Sequence, residues 1–145
     1  MELNTTQIAA LNGSYDVLIE LDESEEEEET MMQMKINNTP VTVAWENNES
    51  VAALKELAAN GLTIQMSMYG GFEQVGSIGQ SLPRDDRQTT TTSGDIVLYS
   101  GNQMVVFYGS NSWAYTRLGR ITDQTPEQMK ALLGSGDVTI TLSMK

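Results

Sequence analysis

Asp95-Ile96-Val97-Leu98-Tyr99-Ser100-Gly101-Asn102-Gln103-Met104-Val105-Val106-Phe107-Tyr108 is the clearest hairpin in the chain. Two runs of β-branched, aromatic and other apolar residues flank a turn around Gly101-Asn102, the composition that favours paired strands. Strands of the same kind lie on either side. Met32, Met34 and Ile36 alternate with polar residues, Asn37-Asn38 offers a turn, and Val41, Val43 and Trp45 resume the period of two. Pro40 puts the start of that second strand, or a sheet edge, at its position. Leu62, Ile64, Met66 and Met68 alternate with Thr63, Gln65, Ser67 and Tyr69. Val138, Ile140, Leu142 and Met144 do the same at the end of the sequence.

Two helices interrupt the strands. Asn48 or Ser50 caps a stripe of Val51, Leu54, Leu57 and Ala58 that Gly61 ends. Thr125-Pro126-Glu127-Gln128 carries a capping-box start, Met129, Leu132 and Leu133 supply the buried face, and Gly134 the stop. Arg117 to Ile121 reads as a short strand in which Leu118 and Ile121 are three apart; a bulge at Gly119 would turn both inward. Residues 70–94 are rich in glycine, hold Pro83 and the run Thr89 to Thr92, and show little periodicity; a stretch this long is functional or hides short strands. About seven short strands with two helices predict a mainly β fold, a barrel or sandwich rather than a parallel α/β sheet.

Charge divides the chain. Residues 1–30 hold ten of the 20 acids and no base; residues 31–145 hold the other ten with all eight bases, a net of −2. The first 30 residues therefore read as an acidic leader and linker, and 31–145 as the domain. Asp22 to Glu29, seven acids in eight, is a solvated spacer by self-repulsion. It lacks the shaped loop that would converge oxygen ligands on calcium. Tyr15, Val17, Ile19 and Leu21 share one face of an extended segment, which predicts one extra strand at 15–21. A nearly neutral domain lacks the basic footprint of a nucleic-acid binder or an anionic-lipid binder.

The sequence has no cysteine and no histidine. Thiolate chemistry, His-based triads and Cys/His zinc sites are excluded for it. No cofactor and no metal site is expected. No apolar run is long enough to span a bilayer and no signal peptide is visible, so membrane insertion is not expected either.

Six methionines, Met31, Met32, Met34, Met66, Met68 and Met104, fall among the strands and read mainly as core. Two segments stand out as site candidates: Tyr69-Gly70-Gly71-Phe72-Glu73-Gln74-Val75-Gly76, continuing to Leu82-Pro83, and Val105 to Ile121 with Phe107, Tyr108, Trp113, Tyr115, Arg117 and Arg120. Phe107 in the core and Trp113 as a barrel plug is the plainer reading. The sharper one is an apolar pocket of Tyr69, Phe72, Phe107 and Trp113 with Arg117 as a cationic fork, suited to an acidic or amide-bearing ligand.

The Met-Lys-Ile-Asn…Val-Thr-Val hairpin, Ala-Ala-Leu-Lys-Glu-Leu, Tyr-Gly-Gly-Phe-Glu, Ser-Gly-Asp-Ile-Val-Leu-Tyr, Phe-Tyr-Gly and Tyr-Thr-Arg-Leu-Gly-Arg-Ile resemble, in order over roughly 32–143, the cyclophilin-like family of small bacterial proteins. The resemblance implies a closed cyclophilin-like β-barrel of about eight strands with helices at its ends. Many members resemble envelope lipoproteins with an acidic or Ser-rich tether, which favours a secreted or cell-envelope location over the cytoplasm. Prolyl isomerisation, which lowers a barrier of about 18–20 kcal/mol, does not carry over by motif. Cyclophilins keep a Phe-His-Arg strand motif and a pocket histidine, and this sequence has no histidine. The expected function is a non-catalytic binding module for a peptide or small molecule, acting as a monomer or weak dimer. A weak peptidyl-prolyl cis-trans isomerase is the runner-up, and an interaction domain pairing through 15–21 the third.

Overall fold

A computed structural model describes residues 31–144. β1 (Met32–Ile36) turns at Asn37, φ +55°, into β2 (Thr39–Val41), so the Asn37-Asn38 hairpin is present. Met32, Met34 and Ile36 are buried, as their alternation requires. One residue later comes β3 (Val43–Trp45), where Trp45 Nε1 donates to the Met32 carbonyl at 3.0 Å. α1 (Glu49–Ala58) is capped by Asn48, whose side-chain oxygen accepts from Val51 N at 2.8 Å. Ser50, the other candidate cap, instead donates its hydroxyl proton to the Pro83 carbonyl. Gly61, φ +83°, leads into β4 (Leu62–Gln65), followed by β5 (Ser67–Tyr69).

The stretch 70–94 hides two strands, β6 (Glu73–Ser77) and β7 (Arg87–Thr90). The hairpin of β8 (Asp95–Tyr99) and β9 (Gln103–Phe107) pairs as expected. Its turn falls one residue early: positive φ sits on Ser100 and Gly101, because Tyr99 pairs with Gln103 and the right-handed strand twist selects that turn. β10 runs from Ser112 to Ile121, twice the predicted length. Its first half pairs with β7 and its second with β8 and β3. α2 (Pro126–Leu133) begins with the capping box: Thr125 accepts from Gln128 N and donates its own N–H to Gln128 Oε1. β11 (Thr139–Met144) ends the described chain.

The fold is mainly β with two helices, as expected, but the strands number eleven among the described residues. The pairings form two antiparallel sheets: β2-β1-β11-β4, and β3-β10-β8-β9-β6-β5 with β7 alongside β10. Among the described residues no ladder of hydrogen bonds joins them into the single closed barrel of about eight strands that the resemblance implies. The predicted strand at 15–21 and the acidic leader lie outside the described residues.

Two apolar clusters hold the domain. The larger takes Ile96, Leu98, Met104, Val106, Leu118 and Ile121 from one face of the large sheet and the inward residues of the small sheet and both helices. Most of the methionines belong here, but Met31 and Met68 are exposed. Gln74, on this face of β6, donates to the Leu133 and Gly136 carbonyls, both at 2.7 Å, and accepts from Val138 N at 3.2 Å. It pins the end of α2 and the approach to β11 onto the large sheet. The second cluster lies on the opposite face of that sheet: Val97, Val105, Phe107 and Tyr115, with Phe72, Val75 and Tyr99 packed against them. A sheet covered on one face should expose polar residues on the other; here the second face is aromatic.

Candidate functional site

Cross-strand register builds the site. Tyr69 pairs with Glu73 and Glu73 with Phe107, so one row crosses β5, β6 and β9 on the second face. Phe107 is fully buried and forms a floor, its ring 6.5 Å from Phe72 and nearly parallel to it, and 5.7 Å from Tyr115 edge-on. Phe72 is gripped by its backbone: its carbonyl accepts from Tyr108 N and Gly109 N, both at 2.9 Å. Two glycines make room for it. A Cβ on Gly70 would lie 2.2 Å from the Phe72 ring, and one on Gly109 would lie 2.7 Å from Phe72 Cβ. Gly70 also has φ +66°, so both space and backbone demand glycine there.

Above this floor is an open hollow of about 830 Å³ lined by Tyr69, Phe72, Glu73, Tyr99, Trp113 and Tyr115, with Gln103 and Asn111 at its polar side. Tyr69 and Trp113 are 64% and 55% exposed, large apolar surface that the fold leaves uncovered. Trp113 is not a plug; it stands on a strand, paired with Thr89 of β7. Asn111 Nδ2 donates to the Tyr115 hydroxyl at 2.9 Å and orients it.

Of the five residues nominated from sequence, Tyr69, Phe72 and Trp113 line this hollow and Phe107 lies beneath it. Arg117 does not join them. It lines a second hollow, of about 730 Å³, with Asn48, Ser50, Arg84, Asp85 and Thr116. There its Nη1 is 3.4 Å from Asp95 Oδ1, which Arg120 Nη1 approaches to 2.8 Å while Thr92 N donates to Oδ2. The cationic fork is engaged by the buried Asp95 and belongs to a different concavity. Tyr115 lines both hollows and separates them.

The polar group under the aromatics is instead Glu73. It is only 6% exposed, and its Oε1 is buried with no hydrogen-bond partner among the described residues. Burial without compensation favours the neutral acid, and the carboxyl is pushed up to about 7. Burial chiefly, with Glu73 and Tyr99 adding to it and the Asn111 hydrogen bond opposing, also raises the Tyr115 phenol. Glu73 lies within a segment that stands out in the sequence, yet the pocket expected there leaves it out. The available signal was a lone acid one residue after Phe72 and two before Val75, which is the apolar face once the segment is a strand.

No group of three His, Cys, Asp or Glu side chains converges on a metal position among the described residues, and no described helix is long and apolar enough to cross a membrane. Comparison with curated proteins and with solved structures returns no match. Over residues 34–143 the sequence matches the model of the Cyclophilin-like family, and with three quarters of its length so covered the chain belongs to the cyclophilin-like family.

Proposed function

We propose that the domain is a non-catalytic binding module that takes a peptide or small molecule into the hollow on the second face of its large sheet. The observation that carries this reading is the set of aromatic side chains, Tyr69, Phe72, Tyr99, Trp113 and Tyr115, gathered around one open concavity above a packed floor. Concave apolar sites with a few convergent polar groups are the usual form of a ligand site. What favours binding over weak prolyl isomerisation is the position of the arginines: Arg117 faces the other hollow and is held by Asp95, while a carboxyl underlies the aromatics.

Fragment screening by backbone amide NMR tests the reading. Shifts should gather on residues 69, 72, 99, 103, 113 and 115, and Trp113→Ala should abolish them with the fold intact. Shifts scattered elsewhere, or unaffected by Trp113→Ala, would remove the site.

The closed barrel belongs to the same proposal. Only Thr42 stands between β2 and β3, and only Met66 between β4 and β5, so the chain passes directly from one sheet to the other at both margins. Met66 N donates to the Val138 carbonyl and Thr122 N to the Thr42 carbonyl, both at 2.9 Å. Strands that switch sheets in this way form the corners of orthogonal barrels. Slow amide exchange at Met66 and Thr122, matching that of the sheet interiors, is expected; fast exchange at both would leave two separate sheets.

A further inference from the structure

We propose that the ligand of this hollow is an organic cation, an alkylammonium group held between the aromatic side chains and the carboxylate of Glu73. The inference rests on the binding-module reading and narrows it to one class of chemistry. Three observations carry it. Glu73 Oε1 is buried at the hollow and has no partner among the described residues, so the molecule holds an unanswered acceptor there. A native structure rarely leaves such an atom unpaired without a role for it. Among the described residues the lining contains no lysine or arginine to answer it. And five aromatic side chains stand around it, Tyr69, Tyr99, Trp113 and Tyr115 contributed by three strands and Phe72 by the turn that follows β5.

Each observation favours the same ligand. Aromatic rings present negative faces that attract ammonium groups, and most strongly when several surround one cation. A carboxylate below supplies the formal countercharge. An anionic ligand would meet both the negative ring faces and the acid. A neutral apolar ligand would leave Glu73 Oε1 unpaired, and a neutral carbonyl compound could use only its protonated form as a donor. A protonated amine donates an N–H to the acid and meets the ring faces at once; a quaternary ammonium meets the rings and supplies the countercharge without a hydrogen bond.

The two forms of Glu73 make opposite predictions for pH, which renders the proposal testable in the wild-type protein. The titratable groups that face Glu73 are Tyr69 from β5, Tyr99 from β8 and Tyr115 from β10; β9 contributes the uncharged Phe107, Val105 and Gln103. Glu73 is the one carboxyl that lines this hollow among the described residues. With its carboxyl near 7, the ionised fraction rises from about one tenth at pH 6 to about nine tenths at pH 8, and cation affinity should rise about tenfold over that interval.

The experiment titrates the protein with choline, with Nα-acetyl-lysine methylamide and with 3,3-dimethylbutan-1-ol, the uncharged isostere of choline, at pH 6 and pH 8. Binding is read from Trp113 fluorescence and from the amides of the lining residues. Choline or the lysine derivative should bind at least about tenfold more tightly than the alcohol at pH 8, and more tightly at pH 8 than at pH 6. Preference for lysine over choline would identify a peptide side chain as the natural cation. Glu73→Gln, nearly equal in volume, should remove both the preference for charge and the pH dependence. If the alcohol binds as well as the cations, or cation affinity falls as pH rises, the cation proposal is overturned and the binding module stands. If none of the three perturbs the lining residues, both fail. Should Glu73→Gln not fold, the comparison of cation with isostere decides alone.

Discussion

Glu73 and Gln74 are neighbours in β6, both buried, and opposite in how the fold meets them: three hydrogen bonds satisfy the Gln74 amide, and none from the described residues reaches Glu73 Oε1. Adjacent strand residues point to opposite faces. One faces the core and closes α2 and the approach to β11 onto the sheet; the other faces the hollow. The same strand thus carries one fully engaged and one unanswered buried polar side chain, and the two should behave differently when replaced.

Gln74→Leu keeps roughly the volume and removes the amide. The Leu133 and Gly136 carbonyls and the Val138 N–H then lose their partner inside the protein. A loss of about 2–4 kcal/mol is expected, measured as a lower urea midpoint with an unchanged slope. An unaltered midpoint would mean that water replaces the amide at no cost.

Glu73 should make stability depend on pH in the direction opposite to a paired acid. Its carboxyl is raised in the folded state from 4.5 to about 7, so between those values the native state binds more protons than the unfolded chain. Stability is therefore greatest below about pH 4.5 with respect to this group, falls as pH rises through 7, and levels off above. The full difference is about 3 kcal/mol. The urea-derived stability of Glu73→Gln minus that of wild type, followed from pH 5 to pH 8, isolates it. Asp123, lowered chiefly by the hydrogen bond from Thr42 N, acts at lower pH with the other sign and cancels in that difference.

Phe107 and Trp113 stand together in the sequence-derived pocket and should separate on mutation. Phe107→Ala opens a void beneath Phe72 and Tyr115 and should cost about 3–5 kcal/mol. Trp113→Ala removes a half-exposed ring and should cost about 0.5–1 kcal/mol, with the loss appearing in ligand binding instead. Equal thermal shifts for both would make Trp113 structural and count against the hollow as a site.

Arg117→Ala should change stability by under about 1 kcal/mol, because Asp95 keeps the closer Arg120 and the Thr92 N–H. Asp95→Ala removes the buried acceptor from all three at once and should cost about 2 kcal/mol or more. Melting temperatures of the two single variants and their double variant give the coupling directly; a larger loss from Arg117 than from Asp95 would contradict the arrangement.

Strict alternation makes β1, β4 and β11 legible in the residues alone, the apolar runs around Gly101 do the same for β8 and β9, and caps locate both helices. β6 and β7 are hidden for physical reasons. β6 buries Gln74 in the core and Glu73 at the hollow, so its polar residues are inside and its pattern resembles a loop; β7, Arg87-Gln88-Thr89-Thr90, has no apolar residue to betray it. The aromatics of the site are legible because they cluster in sequence. Arg117 is misplaced by sequence because its partner, Asp95, lies on another strand, and Glu73 is passed over because its meaning depends on the register that sets it between Tyr69 and Phe107.

The bulge in β10 has a consequence larger than a local kink. From Ile121 backwards, odd positions through Gly119 face the core; at Leu118 the strand takes one extra residue, and from Arg117 to Trp113 odd positions face outward. Strict alternation back from Ile121 through Leu118, with no bulge, would put Arg117, Tyr115 and Trp113 in phase with Ile121 and turn them toward the core. A single step of parity thus decides whether two aromatic side chains fill the interior or line a binding face, and the one extra residue at Leu118 is what sets it.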